Sequence, residues 1–568
     1  MIDRLRAQLD KAWFSARVLF QTGVLGQAER AKHLPRLAAA ALRSARGPNL
    51  VLLFHGITQP SKEAIVEYGA RGTRRLTWGQ LHALINRVCH ALLDRGVTPG
   101  AKVALMLPNG VEFLVAQAAL ARLGATAVQI GYRSKAPEIS HILDNAEPQA
   151  CIFHARFLAA MQEARGHGDP RGHGGPALVV DGELLCAEAM TGTLTDWERA
   201  LAAASAELPV LARGKSASDS DDSGGVIIYT SGTTGKPKGA NRSWKQTGFD
   251  SVSDLIAQTR MRNDERHLVL CPLYHSAAPA FVAMVLALGG TVVLMNHFEP
   301  EGALAIIEKE AITSTLVVPT MLVRLCALPA VTRKAYNTSS LRWIMSGAAP
   351  LATETARQAQ ELFGPILWNF YGSTETGLVT LAGPKDHLSR PGTIGRALRG
   401  NEIRLLGDDR QRVAVGGVGE LYARNSTMIS GYHRNRTATD EASLEGLFSV
   451  GDLARVDADG YYYLESRKHD MVISGGVNIY PREIEDHLHT HPAILEAAVI
   501  GVPDAEWGES LKAFLVVREG MAVTAEEIAA HCRGALADFK RPRQVAFVAE
   551  LPRNPTGKVL KRALRETP

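Results

Sequence analysis

Paired cysteines, charge of a single sign and long apolar runs are all scarce in this chain, and each shortage removes a class of protein. The six cysteines (Cys89, Cys151, Cys186, Cys271, Cys326, Cys532) lie far apart with no CxxC spacing. That argues against a thiolate metal site and against a disulfide framework, and it fits a reducing compartment. The 63 Lys and Arg nearly balance 58 Asp and Glu, so the concentrated basic face of a nucleic-acid protein is not expected. No apolar core with a small-residue cleavage site follows the charges of the first residues, and a cytoplasmic location is expected. Only Ala277 to Met295 runs nineteen residues without a charge, about what a bilayer requires. Pro279 and the pair Gly289-Gly290 divide this run into a helix, a turn and a β-branched segment, so it reads as a helix feeding a buried parallel strand.

At 568 residues and 46% hydrophobic composition the chain can bury several cores. Residues 1 to 46 stand apart: nine basic side chains face only Asp3, Asp10 and Glu29, with Leu5, Leu9, Trp13, Phe14, Val18, Leu19 and Phe20 in a helical pattern. Docking on a membrane surface and packing on the main body are both open for this extension. From about residue 100, short apolar runs alternate with helical patterns (Val103 to Leu107, Val111 to Leu123, Thr126 to Ile130, Ala150 to Phe153, Val226 to Tyr229, Leu268 to Leu270, Ser314 to Val318, Trp343 to Met345, Ile366 to Phe370), which predicts parallel sheets covered by helices. After about residue 400 the runs Glu402 to Leu406, Gly419 to Ala423 and Tyr461 to Leu464 are spaced by Gly and Asp turns, predicting antiparallel strands in a small distorted barrel. Arg165 to Pro176 and Gly214 to Gly225 read as exposed loops. His167 and His173 in the first are not expected to bind metal. Asp219 to Gly224 in the second resembles the start of a calcium loop, but Ser223 and Thr230 occupy positions that need stronger oxygen ligands.

The strongest signal is Tyr229-Thr230-Ser231-Gly232-Thr233-Thr234-Gly235-Lys236-Pro237-Lys238-Gly239, directly after an apolar strand. Glycines let backbone approach closely, hydroxyls and amides donate to phosphate oxygens, and lysines neutralise charge, which are the needs of a polyphosphate. It is not the common P-loop, because Thr230 and Pro237 stand where that motif needs a glycine and a hydroxyl residue. Ser346-Gly347-Ala348-Ala349-Pro350 and Tyr371-Gly372-Ser373-Thr374-Glu375 each follow a further apolar strand, where open α/β sheets place ligands.

In these motifs and their order the sequence resembles the adenylate-forming superfamily of acyl-CoA synthetases, nonribosomal adenylation domains and luciferases, from about residue 50 onward. The resemblance implies an α/β fold: a large N-terminal domain of two parallel-sheet subdomains plus a small distorted β-barrel, then a small mobile α+β domain. The expected boundaries are a 1–46 extension, 47–468 and 469–568. It also implies roles for residues. Thr230, Ser231, Gly232, Thr233, Thr234, Gly235 and Lys238 would bind ATP phosphates, with Gly347, Ala348, Ala349 and Gly372 lining the nucleotide site. Tyr371 would pack on adenine, Thr374 contact the α-phosphate, Glu375 and Thr230 serve Mg2+, and Asp452 clamp the ribose. Arg467 would close the site. Lys558, in Pro552 to Lys558, would be the catalytic lysine, and an ammonium between an attacking carboxylate and a phosphate does relieve the repulsion of two anions. Gly475 and Gly476 would line the pantetheine tunnel of coenzyme A, and Arg541 and Arg543 would meet its phosphates. The hinge falls on His469, where relatives carry Asp or Lys.

Pro272-Leu273-Tyr274-His275-Ser276 stands where amino-acid-activating relatives carry an aspartate. Its absence, and the small or apolar Ala277 to Phe281, predict an alkyl or fused-ring acid with His275 at the acyl site; a histidine packed at a helix N-terminus is the plainer reading. No carrier domain follows Lys558, so free coenzyme A is the expected acceptor. The sequence thus predicts ATP- and Mg2+-dependent activation of a small-molecule carboxylic acid, a fatty acid before others, to acyl-AMP and then acyl-CoA. An acyl-AMP ligase loading a separate carrier protein is the alternative.

Overall fold

The computed structural model describes residues 17–18, 21–23, 49–69, 72–166, 177–180, 194–210, 224–230, 237–244, 249–475, 477–553 and 558–566. Outside them lie most of the 1–46 extension, the loops of His167, His173 and Asp219, Cys186, Ser231 to Gly235, Gly476 and Asn554 to Gly557. The chain forms two compact units, Met1–Leu316 with Ser426–Glu441, and Val317–Asn425 with Ala442–Pro568.

In the first unit, strands Lys102–Met106, Thr126–Gln129, Ala150–His154, Ala177–Val180, Leu194–Asp196 and Gly225–Thr230 pair in parallel. Their apolar runs follow from burial on both faces: Val103, Leu105, Ala127 and Ile152 are buried. Lys238–Ser243 joins antiparallel to Gly225–Thr230 and is followed by Gly431–Tyr432. A second sheet orders Ser314–Val317, Arg266–Val269, Thr291–Met295 and Glu63–Gly69 in parallel, closed by antiparallel Gly72–Thr77. The uncharged stretch resolves as expected into helix Ala277–Leu288 and strand Thr291–Met295. Among the described residues no helix is long and apolar enough to cross a membrane. Of the N-terminal extension, Val18 and Thr22 are buried. The Thr22 carbonyl accepts the Asn263 amide at 2.9 Å and the Gly23 carbonyl accepts Asn263 Nδ2 at 2.9 Å, so this stretch packs on the unit.

In the second unit, Trp343–Ser346 pairs in parallel with Leu367–Ser373. From there the strands run antiparallel in the order Gly377–Ala382, Thr393–Ala397, Tyr462–Arg467, Leu447–Val456, Gly419–Arg424, Glu402–Leu406. Tyr371, Val379, Ile394, Leu405, Leu421, Ala423 and Ala454 form their common core. The last hundred residues build a separate sheet from Val472–Ser474, Val477–Ile479, Ile494–Asp504, Gly508–Val517 and Gln544–Phe547. Its core, including Val472, Ile484, Leu488, Val499, Leu515 and Ile528, buries one face of helices Pro481–Leu488 and Ala525–Arg533.

Gly289 ends helix Ala277–Leu288 at φ +82°, a conformation that costs an L-residue about 1–2 kcal/mol. A Cβ there would also sit 2.7 Å from His55 Cε1 and from Gln59 Nε2. Gly289→Ala is expected to lower unfolding free energy by about 2 kcal/mol or more, read as a lower urea midpoint at unchanged slope. An unchanged midpoint would mean that the turn relaxes freely.

Candidate active site

Three strands of the second unit converge on a set of charged and hydroxyl side chains. Asp452 on Leu447–Val456 lies directly opposite Arg467 on Tyr462–Arg467 in the antiparallel register, and the guanidinium Nε is 3.3 Å from Asp452 Oδ1. From the neighbouring core, Tyr371 donates its hydroxyl to Asp452 Oδ2 at 2.9 Å. Burial first, and then the Asp452 charge, push the Tyr371 phenol well above the ordinary tyrosine range, so it remains a donor. The ring is only 7% exposed and belongs to the barrel core.

Directly after Tyr371 the chain turns sharply. Ser373 Oγ accepts the amides of Glu375 and Thr376 at 3.1 and 2.9 Å, and the Ser373 amide donates to Thr376 Oγ1 at 3.1 Å. Asn425 Nδ2 donates to the Thr376 carbonyl at 2.8 Å. This turn fixes Thr374 and a buried Glu375 at the strand end. Lys558 feels the charges of the same cluster. Burial, then the charge of Arg467, lower its pKa, while the carboxylates of Asp452 and Glu375 oppose the shift. The lysine therefore sits within reach of all three charges.

Gly347, Ala348 and Ala349 form the loop after Trp343–Ser346. A Cβ on Gly347 would lie 2.1 Å from Phe370 Cε1, so only glycine fits, and Ala348 holds a left-handed φ of +65°. Ser346 Oγ, buried at the strand end, has no hydrogen-bond partner in the protein. Such a donor fits a polar ligand resting on this loop. Among the described residues no group of three or more His, Cys, Asp or Glu could hold a metal. Glu375 as a single carboxylate suits Mg2+, which is usually shared with substrate phosphates instead of caged by protein.

The expected coenzyme A residues part company. Gly475 stands at the tip of hairpin Val472–Ser474/Val477–Ile479, its amide donating to the Trp507 carbonyl at 2.8 Å. Arg543 is exposed, with its guanidinium 5.4 Å from the Trp507 ring centroid. Arg541 is instead committed locally, donating to the Leu536 carbonyl and to Asp538 Oδ1, both at 2.9 Å. Trp507, 39% exposed, is a residue the sequence reading missed; its signal was an unexplained tryptophan among polar residues.

In the first unit, Thr230 ends Gly225–Thr230 opposite Lys238 and its Oγ1 donates to the Lys238 carbonyl at 3.4 Å. The Lys238 ammonium lies 5.3 Å from the Tyr432 ring centroid. These residues stand at the two ends of residues 231–237, the expected phosphate loop. His275 is half-buried two residues before helix Ala277–Leu288, its ring 4.0 Å from that of Tyr274, which in turn meets Tyr132 edge-on at 5.0 Å. Buried Asn109 pins this segment, accepting the Leu273 amide at 2.8 Å and donating to the Cys271 carbonyl at 3.1 Å. Neither Asn109 nor the nearby cavity of about 620 Å³, lined by Tyr68, Tyr132, Arg156, Phe157 and Met295 among others, was legible in the sequence.

The family model of the AMP-binding enzyme matches residues 55–433, and that of the AMP-binding enzyme C-terminal domain matches 483–558. A feruloyl-CoA synthase of an Amycolatopsis species is 33% identical over 87% of this chain and 94% of its own. A long-chain-fatty-acid–CoA ligase of Mycobacterium tuberculosis is 32% identical over 87% and 93%. The solved structure of an anthranilate CoA ligase in complex with anthranoyl-AMP superposes with TM-score 0.81 at 27% identity, covering 93% of this chain and 98% of that one. With both family models matched in order and the motif side chains gathered at the strand ends, this chain belongs to the AMP-binding enzymes, in their adenylate-forming acid–thiol ligase branch.

Proposed function

We propose that this ligase activates a fatty acid with ATP to acyl-AMP and pyrophosphate, and then passes the acyl group to coenzyme A. The reading is supported by the turn that sets Thr374 and Glu375 at the strand end beside Tyr371 and Asp452, with the charges of Arg467, Asp452 and Glu375 acting on the Lys558 ammonium. The acid carboxylate attacks the α-phosphorus while the bond to pyrophosphate breaks. An ammonium beside both anions offsets their repulsion and stabilises the charge that builds in the transition state. In this reading Asp452, oriented by Tyr371 and Arg467, receives the ribose hydroxyls, and Thr374 donates to the α-phosphate. Glu375 would hold Mg2+, which when bound spreads the charge of the departing pyrophosphate. Residues 469–568 are proposed to turn about His469, so that Gly475 and Gly476 admit the thiol of coenzyme A. The sulfur then bonds to the acyl carbon, AMP leaves, and the thiol proton goes to solvent. Arg543, rather than the locally committed Arg541, is the better placed of the two for coenzyme A phosphates.

The acyl class rests on His275 and the small residues that follow it, with no carboxylate in that stretch to meet a substrate ammonium. Turnover of a panel of fatty, aryl and amino acids, with coenzyme A or an acyl carrier protein as acceptor, tests this. A fatty acid is expected to turn over best and only with coenzyme A. Preference for feruloyl-type acids, or transfer to carrier protein alone, would overturn the finer assignment.

Lys558→Ala is expected to slow acyl-AMP formation by about a hundredfold or more while thioester formation from supplied acyl-AMP survives. Equal losses in the two half-reactions would count against the assigned role. The pH dependence has a definite sign. The charged form is the working one and its pKa is lowered, so acyl-AMP formation fails as pH rises, at a pH below the roughly 10.4 of an ordinary lysine. In Lys558→Arg, whose guanidinium stays charged, that alkaline limb should vanish from the residual rate.

A further inference from the structure

Helix Pro481–Leu488 contacts both sides of the site through a single turn. From its first turn, Arg482 Nη2 donates to the Leu351 carbonyl at 2.6 Å, while its Nε pairs with Asp486 Oδ2 at 3.0 Å one turn later. The two side chains are only 17% and 27% exposed. Leu351 directly follows Pro350 and so closes the Gly347 to Ala349 loop, the segment constrained by Phe370 and by the left-handed Ala348. From the same helix, Glu485 Oε1 lies 2.6 Å from Lys561 Nζ and accepts the Val499 amide at 2.9 Å. Burial alone would raise the Glu485 pKa, but the Lys561 ammonium and the Val499 amide hold it below the usual range, so that pair is charged. Lys561 is three residues beyond Lys558. A chain of contacts thus runs from the nucleotide-side loop through Arg482, one helical turn, Glu485 and Lys561 to the lysine.

The two ends of this chain differ in one respect. Glu485, Val499 and Lys561 all lie beyond His469 and move together in any rotation about it. Arg482 and Leu351 lie on opposite sides of that residue, so their hydrogen bond forms in the lysine-presenting arrangement and breaks when residues 469–568 turn away. The arrangement is tied at the hinge as well: Arg565 Nη2 donates to the His469 carbonyl at 3.3 Å and to Asp470 Oδ1 at 3.2 Å. A short, largely buried bond from a charged donor to a backbone carbonyl is among the stronger neutral-acceptor contacts available, and here it registers a helix against a loop that cannot shift.

We propose that Arg482 is a positioning residue for the adenylating step: by gripping the Leu351 carbonyl it sets helix Pro481–Leu488, and through Glu485 and Lys561 the Lys558 ammonium, in register with the nucleotide-side loop. This rests on the adenylation reading above. The test compares wild type, Arg482→Ala and Arg482→Lys in three measurements: acyl-AMP formation by pyrophosphate exchange, thioester formation from supplied acyl-AMP and coenzyme A, and hydrogen–deuterium exchange of peptides covering residues 346–352 and 481–488 without substrates. Arg482→Ala should slow acyl-AMP formation roughly ten- to a hundredfold, the loss expected for a hydrogen bond from a charged group. Thioester formation should be unchanged and both peptides should exchange faster; the lysine variant, keeping one charged donor, should recover part of the rate. Equal slowing of both half-reactions, or unaltered exchange in both peptides, would overturn the proposal. Asp486→Asn, which leaves Arg482 in place but weakens its orientation, should show the same half-reaction split in smaller measure if the alanine variant folds poorly. Wild-type protein that exchanges pyrophosphate with no acid would count against the adenylation reading, and the hydrogen-exchange comparison still decides the role of Arg482.

Discussion

A carboxylate held largely out of water must be met by donors, and in this protein Asp452 is that carboxylate. Its side chain is 13% exposed, with one oxygen taken by the Tyr371 hydroxyl and the other by the Arg467 guanidinium. Removing a partner leaves that charge less compensated, although solvent reaching the Arg467 side chain, 40% exposed, moderates the cost. Asp452 therefore fixes its neighbours as much as they fix it. Tyr371 must bring its hydroxyl out of the core to that carboxylate, and the two strands must keep the register that sets 452 against 467. The turn carrying Thr374 and Glu375 starts two residues from Tyr371, so its placement follows from the same constraint.

The lysine enters a field already balanced. Arg467 disfavours a second cation, whereas Asp452 and Glu375 favour it. The surrounding contacts, Arg482 on Leu351 and Arg565 on the hinge, are single hydrogen bonds and small ion pairs of the same modest scale.

Much of this was legible before any coordinates. The parallel strands announced themselves because burial on both faces demands uninterrupted apolar residues, and Ala277 to Met295 split at Gly289 as its glycine pair requires. The nucleotide motifs could be read because close approach and hydroxyl donation restrict residue type at each position. Contacts that depend on a distant partner stayed hidden. Nothing local distinguishes Arg541, spent on its own turn, from Arg543, set over Trp507. Asn109 looked like any polar residue until the fold carried it under residues 271–273, and Arg482 reads as a solvated helix arginine unless Leu351 is known to lie beneath it.

Tyr371 serves in two places at once, as a wall of the barrel core beside Val379, Ile394 and Leu421 and as the donor to Asp452. Drift in those core residues is therefore filtered twice, for packing and for the angle at which the phenol meets the carboxylate. Over evolutionary time, or in a directed-evolution experiment, the core around Tyr371 should therefore stay nearly frozen, because any change there is felt at the carboxylate as well as in the packing.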